Sequence, residues 1–432
     1  MKQKSIETFL IFTTIFVSSI TFFTTPFEGY FHYLIFLLFF PFFIFKYGFP
    51  QMPFKILLLP LIAGLYHISV GDDTWELFLK IFLGVLLSTS FYFYVFKYYD
   101  MDLERLFRLY LRGCVVVSWI GIVQWVSYKV GFKPGYDYNW LFNKWGLVAS
   151  ENGGLRVNSI FAEPAQFSIV LIPAVFIATQ GLMTRSQTYL SSFQSFIVIL
   201  VVILSTSSTG YIGFFVILLL LIMNYGHVMN LVIGLGAIII LASIMYTSVP
   251  EFQSRVDSTI GLWVNEDLSV NNVNSSSFVL YNNFHIASEN FKSNIFTGTG
   301  LGSHKIAFDK YSLTRRRGFL LFENNQSDAN SLLLRLMSET GLSGLIFILL
   351  LVFRCYVSRK ADERNEVSWI ISNSILPMLI LCMIRQGNYF LNGLPFFFML
   401  YYYNYLDYKN KKEEYQNIEL EPAQFNEGIE EK

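Results

Sequence analysis

The stretch from Leu190 to Tyr225, LSSFQSFIVILVVILSTSSTGYIGFFVILLLLIMNY, consists of two apolar runs with a short polar turn between them, and none of its 36 residues is charged. A helix that crosses about 30 Å of hydrocarbon needs roughly 20 apolar residues, and each run comes close to this length. Backbone groups left unpaired in lipid are too costly for an irregular chain. Two helical crossings joined by a tight turn therefore predict a polytopic membrane protein.

The rest of the chain repeats this pattern. Apolar residues make up 53% of the 432 residues and charged residues 14%, with 31 basic and 31 acidic side chains, whereas soluble domains carry about a quarter charged residues. This composition excludes soluble, disordered, collagen-like and nucleic-acid-binding proteins. It predicts an all-α polytopic membrane protein in a lipid bilayer, with about twelve transmembrane helices. The twelve runs lie at about 6–25, 29–46, 54–71, 76–96, 110–130, 164–181, 190–206, 209–225, 228–249, 331–355, 367–385 and 388–406.

Basic residues concentrate in alternate connections between the runs, which the positive-inside rule places on the cytoplasmic side. Lys2 and Lys4 precede the first run, which lacks a small-residue cleavage site, so we expect an uncleaved helix with its N-terminus inside. An even number of spans places the C-terminus inside as well. Residues 1–249 then hold helices 1–9, residues 331–406 hold helices 10–12, and residues 407–432 form a charged cytoplasmic tail.

Two predicted external segments are longer than the other turns. Residues 131–163 are rich in tyrosine and tryptophan, which favour the membrane interface, so we expect this segment to lie on the bilayer. Residues 250–330 form a large external loop between helices 9 and 10. A loop of this length is usually either functional or disordered.

The large loop carries a local excess of positive charge. The excess lies in one basic stretch of the loop, which contains Lys305, Lys310, Arg315, Arg316 and Arg317. Asp309 is the acidic residue among them, and His304 beside Lys305 could add to the basic character. One interpretation is solvated surface charge. The other is an external site for phosphate or pyrophosphate, because adjacent arginines supply planar donor forks that suit such anions.

Ionisable residues near the start of helix ten form the first candidate constellation. If this helix begins near Asp328, then Asp328, Arg335 and Glu339 lie along one stripe of an ideal helix. Arg335 and Glu339 have the i, i+4 spacing of an ion pair. One interpretation is a structural pair facing neighbouring helices. The other is functional, with Asp328 as a base at the external mouth of the helix.

The start of helix six forms the second constellation. Pro164 suits a first helical turn, and the residue before a proline avoids helical geometry, so we expect Glu163 at the helix mouth and Arg156 in the preceding interfacial segment. Arg156 and the free N–H groups of the first turn would attract an anion. Alternatively, Glu163 is a simple helix cap.

Arg385 ends helix eleven in a turn so tight that its side chain cannot lie far from the bilayer face. Its guanidinium either snorkels toward lipid headgroups or faces a polar cavity. In the second case Arg156, Arg385 and the cluster of Arg315–Arg317 could converge on one anionic headgroup.

Cysteines and histidines are scattered along the chain, so we predict no disulfide framework, no metal site and no cofactor.

Four segments, taken in order, resemble the bacterial O-antigen ligase and Wzy-type polysaccharide polymerase superfamily. They are Arg156–Pro164 (RVNSIFAEP), Leu204–Gly210 (LSTSSTG), Phe296–Gly302 (FTGTGLG) and Asp328–Gly344 (DANSLLLRLMSETGLSG). Each motif is loose, and their order is the more specific feature. With the spans and the late external loop, the resemblance covers about residues 1–406 and implies a GT-C-like arrangement of helices.

Within this superfamily the sequence is more similar to the polymerase branch. In the ligase branch a histidine precedes the asparagine of the last segment, whereas here Ala329 precedes Asn330. The resemblance implies transfer of a growing glycan from undecaprenyl diphosphate to a new lipid-linked repeat unit. This O-antigen polymerase reaction takes place on the periplasmic face of the bacterial inner membrane, without nucleotide sugar or metal. A chain-length regulator is the protein partner that the resemblance implies.

This chemistry suggests roles for the candidate residues. We expect Arg156, Arg385 and one or more of Arg315–Arg317 to hold the donor diphosphate, and Asp328 or Glu163 to accept the proton of the attacking hydroxyl. The wider substrate-binding set is His304, Lys305, Asn330, Arg335 and Glu339. Two alternatives stay open: an O-antigen ligase that transfers the glycan to lipid A core, and a transporter or flippase of lipid-linked oligosaccharide. Internal repeats, which are common in transporters, are not evident in the sequence.

Overall fold

Helices dominate the structure, which is a computed structural model. It describes residues 29–149, 154–226, 250–265, 274–314, 324–361 and 366–430, together with parts of 8–23 and 236–248. Strands β1 (Thr21–Phe23) and β2 (Gly29–Tyr30) pair as a small antiparallel hairpin. The helices are α1 (Phe31–Tyr47), α2 (Gln51–Val70), α3 (Trp75–Tyr98), α4 (Leu103–Lys129), α5 (Lys133–Tyr136), α6 (Pro164–Thr184), α7 (Ser192–Leu204), α8 (Ser208–Tyr225), α9 (Pro250–Trp263), α10 (Ser275–Ser293), α11 (His304–Tyr311), α12 (Leu332–Glu339), α13 (Gly341–Arg354), α14 (Glu366–Arg385) and α15 (Leu394–Glu430).

Six helices among the described residues are long and apolar enough to cross a membrane, namely α2, α3, α4, α6, α8 and the Val367–Arg385 part of α14. Helices α1, α7 and α13 are apolar but shorter. The chain is therefore a predominantly α-helical, multi-pass membrane protein, as its hydropathy predicts. The count of twelve spans stays a prediction, and most of the run at 228–249 lies outside the described residues.

Helices α6 and α14 form the centre of the bundle. They pack against each other, and α6 also contacts α7 and α8. In their most apolar windows 72% and 78% of the residues are buried, against 22% in α2. At the periphery, Leu38, Phe45 and Leu59 are 70%, 95% and 74% exposed. Large apolar side chains exposed in this way are typical of a surface that faces lipid.

The first predicted span, 6–25, is not helical at residues 21–23. Residues 21–23 are extended and pair with Gly29–Tyr30, and the Thr21 N–H donates to Asn143 Oδ1 at 2.7 Å. Because this backbone is paired with distant parts of the chain, it cannot continue the helical ladder. The apolar run in the sequence is therefore longer than the helix that it forms.

The predicted helix ten, 331–355, is two helices. Helix α12 ends at Glu339 and α13 begins at Gly341, whose positive φ of 60° interrupts the helical geometry. The backbone of residues 295–298 packs against this break, where Leu342 N donates to Ile295 O at 2.7 Å. Helix α12 also starts later than expected, with Ser331 as its N-cap. Asp328 therefore precedes the helix, and the prediction that it shares a helical stripe with Arg335 and Glu339 was wrong.

The last helix begins later and ends later than the predicted span 388–406. Asn392 and Gly393 have positive φ angles of 53° and 70° and form a turn before α15. The helix then continues to Glu430, so the charged tail at 407–432 is mostly helical. Its lysines and acidic residues include i, i+4 pairs such as Lys411 Nζ to Asp407 Oδ2 at 2.6 Å, which stabilise an exposed helix.

The segment predicted as a large loop, 250–330, contains helices α9, α10 and α11. Helix α10 packs against α12, and α11 contacts both of them. Asn290 of α10 donates to Ser338 O and Ser338 Oγ at 3.1 and 2.9 Å. This part of the chain is thus built onto the helix pair that carries Arg335 and Glu339.

Candidate functional site

Glu163 stands at the start of the central helix α6. It is the N-cap residue, with extended backbone angles, and Pro164 occupies the first helical position, as the sequence predicted. Its side chain makes no capping hydrogen bond. Glu163 therefore does not cap α6 through a side-chain hydrogen bond.

Four charged side chains lie close enough to Glu163 to influence its ionisation: Lys144, Arg156, Asp328 and Arg385. Desolvation raises the pKa of the Glu163 carboxyl above its usual range and the nearby Asp328 raises it further, while the three cations lower it. Glu163 nevertheless contacts solvent. We call these five residues the five-charge cluster.

Arg385 reaches the cluster from the end of α14, the other central helix. Its Nη2 donates to Ser276 Oγ at 2.6 Å, at the start of α10, and the side chain is half-buried. The turn that follows packs tightly on Asp328, because a Cβ at Gly387 would collide with the Asp328 carbonyl oxygen. Glycine at this position therefore lets the Arg385 turn and the Asp328 turn lie against each other.

Asp328 is fixed by its own turn. Its Oδ1 accepts hydrogen bonds from Asn325 Nδ2 at 2.9 Å and from the Asn330 N–H at 3.2 Å. Asn325, Ala329 and Asn330 all have positive φ, near 55° to 59°, a conformation that asparagine tolerates better than most residues. Asn330, a predicted substrate contact, thus positions Asp328 in this structure.

Arg156 lies in a segment that is anchored to the bundle. Its N–H donates to Val148 O at 3.0 Å. Next to it, the buried Asn158 exchanges hydrogen bonds with Gln124 of α4, and Asn158 Nδ2 also donates to Phe161 O at 2.9 Å. These contacts attach the chain from Arg156 to Phe161 to α4 and to residue Val148. The expectation that Arg156 precedes the helix is confirmed.

Lys144 is a member of the cluster that the sequence did not single out. Its Nζ donates to Tyr30 Oη at 2.7 Å and lies 4.9 Å from the centre of that ring. The neighbouring Trp145 is buried, and its indole N–H donates to Ser159 O at 2.9 Å. Two sequence features could have identified Lys144 as a candidate. It lies among aromatic residues, and it is a basic residue in a predicted external segment, where the positive-inside rule disfavours positive charge.

Arg335 and Glu339 form the ion pair that their spacing predicted. Arg335 Nε donates to Glu339 Oε1 at 2.9 Å, and both residues are 1% exposed. Tyr389 Oη donates to Glu339 Oε2 at 2.9 Å, and its ring lies 4.2 Å from the guanidinium. Arg335 Nη1 donates to Gly387 O at 2.9 Å. This buried pair stabilises the turn that follows Arg385, at Gly387, and is not accessible to solvent.

The glycine-rich loop at 298–302 packs between α12 and the α2–α3 turn. Its three glycines have φ angles of 63°, 106° and 100°. A Cβ at Gly298 would collide with the backbone of Glu339, and one at Gly300 would lie 2.8 Å from Asp73 Oδ2. Close packing therefore accounts for the glycines without a bound phosphate.

Burial, aided by the charges of Glu339 and Asp72, raises the pKa of Asp73 to about 7.

The other predicted contacts fall outside the cluster. His304 is fully buried and its Nε2 lies 2.9 Å from Asn283 Oδ1. Burial and the nearby Arg335 lower its pKa to about 3, so the prediction that His304 adds positive charge was wrong. Lys305 is exposed on α11. Residues 315–317 lie outside the described residues.

Metal ligands do not group together in the described ranges, where no three His, Cys, Asp or Glu side chains are placed to hold an ion. The cysteines at 114, 355 and 382 are buried and unbridged.

The site itself consists of three cations and two carboxylates at the ends of two central membrane helices. The class of protein that the fold defines is thus a multi-pass α-helical membrane protein. The chain matches no protein-family model, and no curated protein is significantly similar to it.

Proposed function

We propose that this protein is a polysaccharide polymerase: a glycosyltransferase that moves a growing glycan from undecaprenyl diphosphate to a lipid-linked repeat unit. The observation that carries the proposal is the five-charge cluster. Two cations from the 131–163 segment and one from the end of α14 lie near two carboxylates, where α6 begins and α14 ends. A lipid diphosphate needs both features, since its charge must be balanced at the membrane face while a base acts nearby.

The reaction assigns a step to each sign of charge. The acceptor hydroxyl of the incoming repeat unit attacks the anomeric carbon of the donor glycan and forms the new C–O bond. The bond between that carbon and the diphosphate oxygen breaks, and undecaprenyl diphosphate leaves with the electron pair. Arg156, Arg385 and Lys144 would balance the developing negative charge. The hydroxyl proton passes to a carboxylate of the cluster.

Glu163 is the better candidate for this base. Its raised pKa makes it a stronger proton acceptor than an ordinary carboxylate, and its side chain is accessible. Asp328 already accepts two hydrogen bonds at one oxygen, which suits a group that orients the cations or the acceptor. Substituting each carboxylate in turn separates the two roles.

The test is chain extension by the purified protein. With a lipid-linked repeat unit as the substrate, the wild-type protein should form a ladder of lengthening glycans. Arg156→Ala and Arg385→Ala should each lower the extension rate by about 100-fold or more, because each removes a donor to the leaving group. The matched control is Lys133→Ala, in the same segment as Arg156 but with its side chain 75% exposed, which should keep the wild-type rate.

Ladders of wild-type length from both arginine variants would overturn the proposal. Deletion of the gene separates it from its rivals. Loss of a polymerase leaves surface glycan with a single repeat, whereas loss of a ligase leaves none attached. A transporter would move lipid-linked oligosaccharide across vesicles without joining the units.

A further inference from the structure

A polar cavity lies in the half of α4 that is farther from the Arg156 segment. It has a volume of about 340 Å³ and is lined by Arg108, Arg112, Val115, Tyr189, Leu190 and Gln194. Gln124, which holds the Arg156 segment, is 16 residues further along α4 than Arg108, or about 24 Å at 1.5 Å per residue. The cavity and the five-charge cluster are thus separated by most of the thickness of a bilayer core.

One arginine of this cavity is held rigidly. Arg108 donates to Glu104 Oε1 from Nε and Nη2, at 2.9 and 2.6 Å, and from Nη1 to Thr188 O at 2.7 Å. The ring of Tyr189 lies 4.4 Å from its guanidinium. Glu104 balances the charge of Arg108, so this part of the wall is ordered and close to neutral.

Arg112 supplies the net charge. It lies one helical turn beyond Arg108, is exposed, and within the described residues makes no hydrogen bond or ion pair. Gln194 Oε1 accepts from the Ser191 N–H at 3.0 Å, which fixes that carboxamide and leaves its own N–H groups as donors. A site with one uncompensated guanidinium and fixed neutral donors matches an anion of single charge, and phosphate diesters carry that charge.

Beside the cavity, α4 and α7 contact each other and expose apolar side chains. Val116 and Trp119 follow Arg112 on the same face of α4 at i+4 and i+7, and are 56% and 41% exposed. Phe193 on α7 is 62% exposed, and its ring centre lies 5.8 Å from that of Trp119. A ligand that fits both parts has a phosphate head and hydrocarbon tails.

We propose that this cavity binds the phosphate headgroup of an anionic phospholipid, with its acyl chains against the exposed apolar side chains of α4 and α7. Arg112 contacts the phosphate, and the fixed Arg108 and Gln194 supply the surrounding donors. The proposal does not rest on the glycosyltransferase activity, because it concerns the other end of the bundle.

The test uses the full-length protein in detergent, with its thermal unfolding followed as lipid is added. Phosphatidylglycerol should raise the unfolding temperature at lower concentrations than phosphatidylcholine, and Arg112→Gln should weaken this effect about tenfold. The matched control is Arg105→Gln, on the same helix but outside the cavity, where Arg105 stacks on Tyr99 at 5.2 Å. This variant should respond like the wild-type protein.

Three outcomes would overturn the proposal. Equal stabilisation by the two lipids would show that headgroup charge is not recognised. Equal weakening in Arg112→Gln and Arg105→Gln would indicate a general surface charge. Stabilisation by inorganic phosphate that matches phosphatidylglycerol would show that the cavity takes soluble phosphate instead of lipid.

Discussion

The five-charge cluster and the buried pair of Arg335 and Glu339 are neighbours with opposite designs. Gly387 joins them, since its carbonyl accepts from Arg335 and its Cα packs against the Asp328 carbonyl. The buried pair is 1% exposed and stabilised by Tyr389, whereas members of the cluster contact solvent and surround a carboxylate of raised pKa. The same residue types thus support the structure in one place and are available to a ligand in the other.

The physical basis of this difference is solvation. A buried charge loses several kcal/mol of hydration and is tolerated only when its partners replace the lost water, as in the pair of Arg335 and Glu339. Accessible charges keep part of their hydration and can exchange water for an anion. The comparison therefore predicts that substitutions in the pair change folding, whereas substitutions in the cluster change activity.

The largest expected effect is on the buried pair. Arg335→Ala leaves Glu339 charged, buried and without its main partner, so we expect a loss of about 3–5 kcal/mol of stability. Thermal unfolding in detergent and the yield of membrane-inserted protein measure this loss. The double variant with Arg335→Met and Glu339→Leu should recover much of it, because no lone charge remains. An unchanged unfolding temperature in Arg335→Ala would contradict a structural role for the pair.

The next effect concerns Asp73, which lies beside the glycine-rich loop. Its pKa is about 7 in the folded protein and 3.8 for an unperturbed aspartate, so the folded state binds more protons between these values. The stability it contributes is fully present below pH 3.8 and is lost as the pH rises from there through 7, by up to about 4 kcal/mol. Asp73→Asn should be as stable as the wild-type protein at pH 4 and more stable at pH 8. Parallel curves of unfolding temperature against pH for the two proteins would exclude this linkage.

A smaller effect, on activity alone, is expected at Glu163. As the proposed base, Glu163 must be ionised, so chain extension should fall as the pH drops through its raised pKa. Glu163→Gln should lower the rate by about 100-fold, corresponding to about 2.7 kcal/mol of barrier, and should leave the unfolding temperature unchanged. Glu163→Asp, which keeps the carboxylate, should retain part of the rate and the acid limb of the pH profile. The same experiment on Asp328→Asn identifies the base: loss of the acid limb there, and not in Glu163→Gln, would assign the role to Asp328.

Local sequence features predicted several parts of this structure. Proline after Glu163 indicated the start of α6, and the i, i+4 spacing indicated the Arg335–Glu339 pair. Features that depend on distant contacts were missed. The break at Gly341 follows from the packing of residues 295–298, and the neutral His304 follows from its burial. Composition cannot reveal either, because both are set by what packs against the residue.

The sequence by itself determined the class of protein, since long apolar runs are stable in the lipid bilayer and favour helices there. It also indicated which charged residues were candidates, because a charge near such runs is costly unless it has a partner. The tertiary structure alone decided which of these charges meet. Arg156 and Glu163 are more than 160 residues from Asp328 and Arg385, and only the packing of α6 against α14 brings them together. Hydropathy and periodicity are local properties, whereas a site assembled from distant residues depends on how the helices pack.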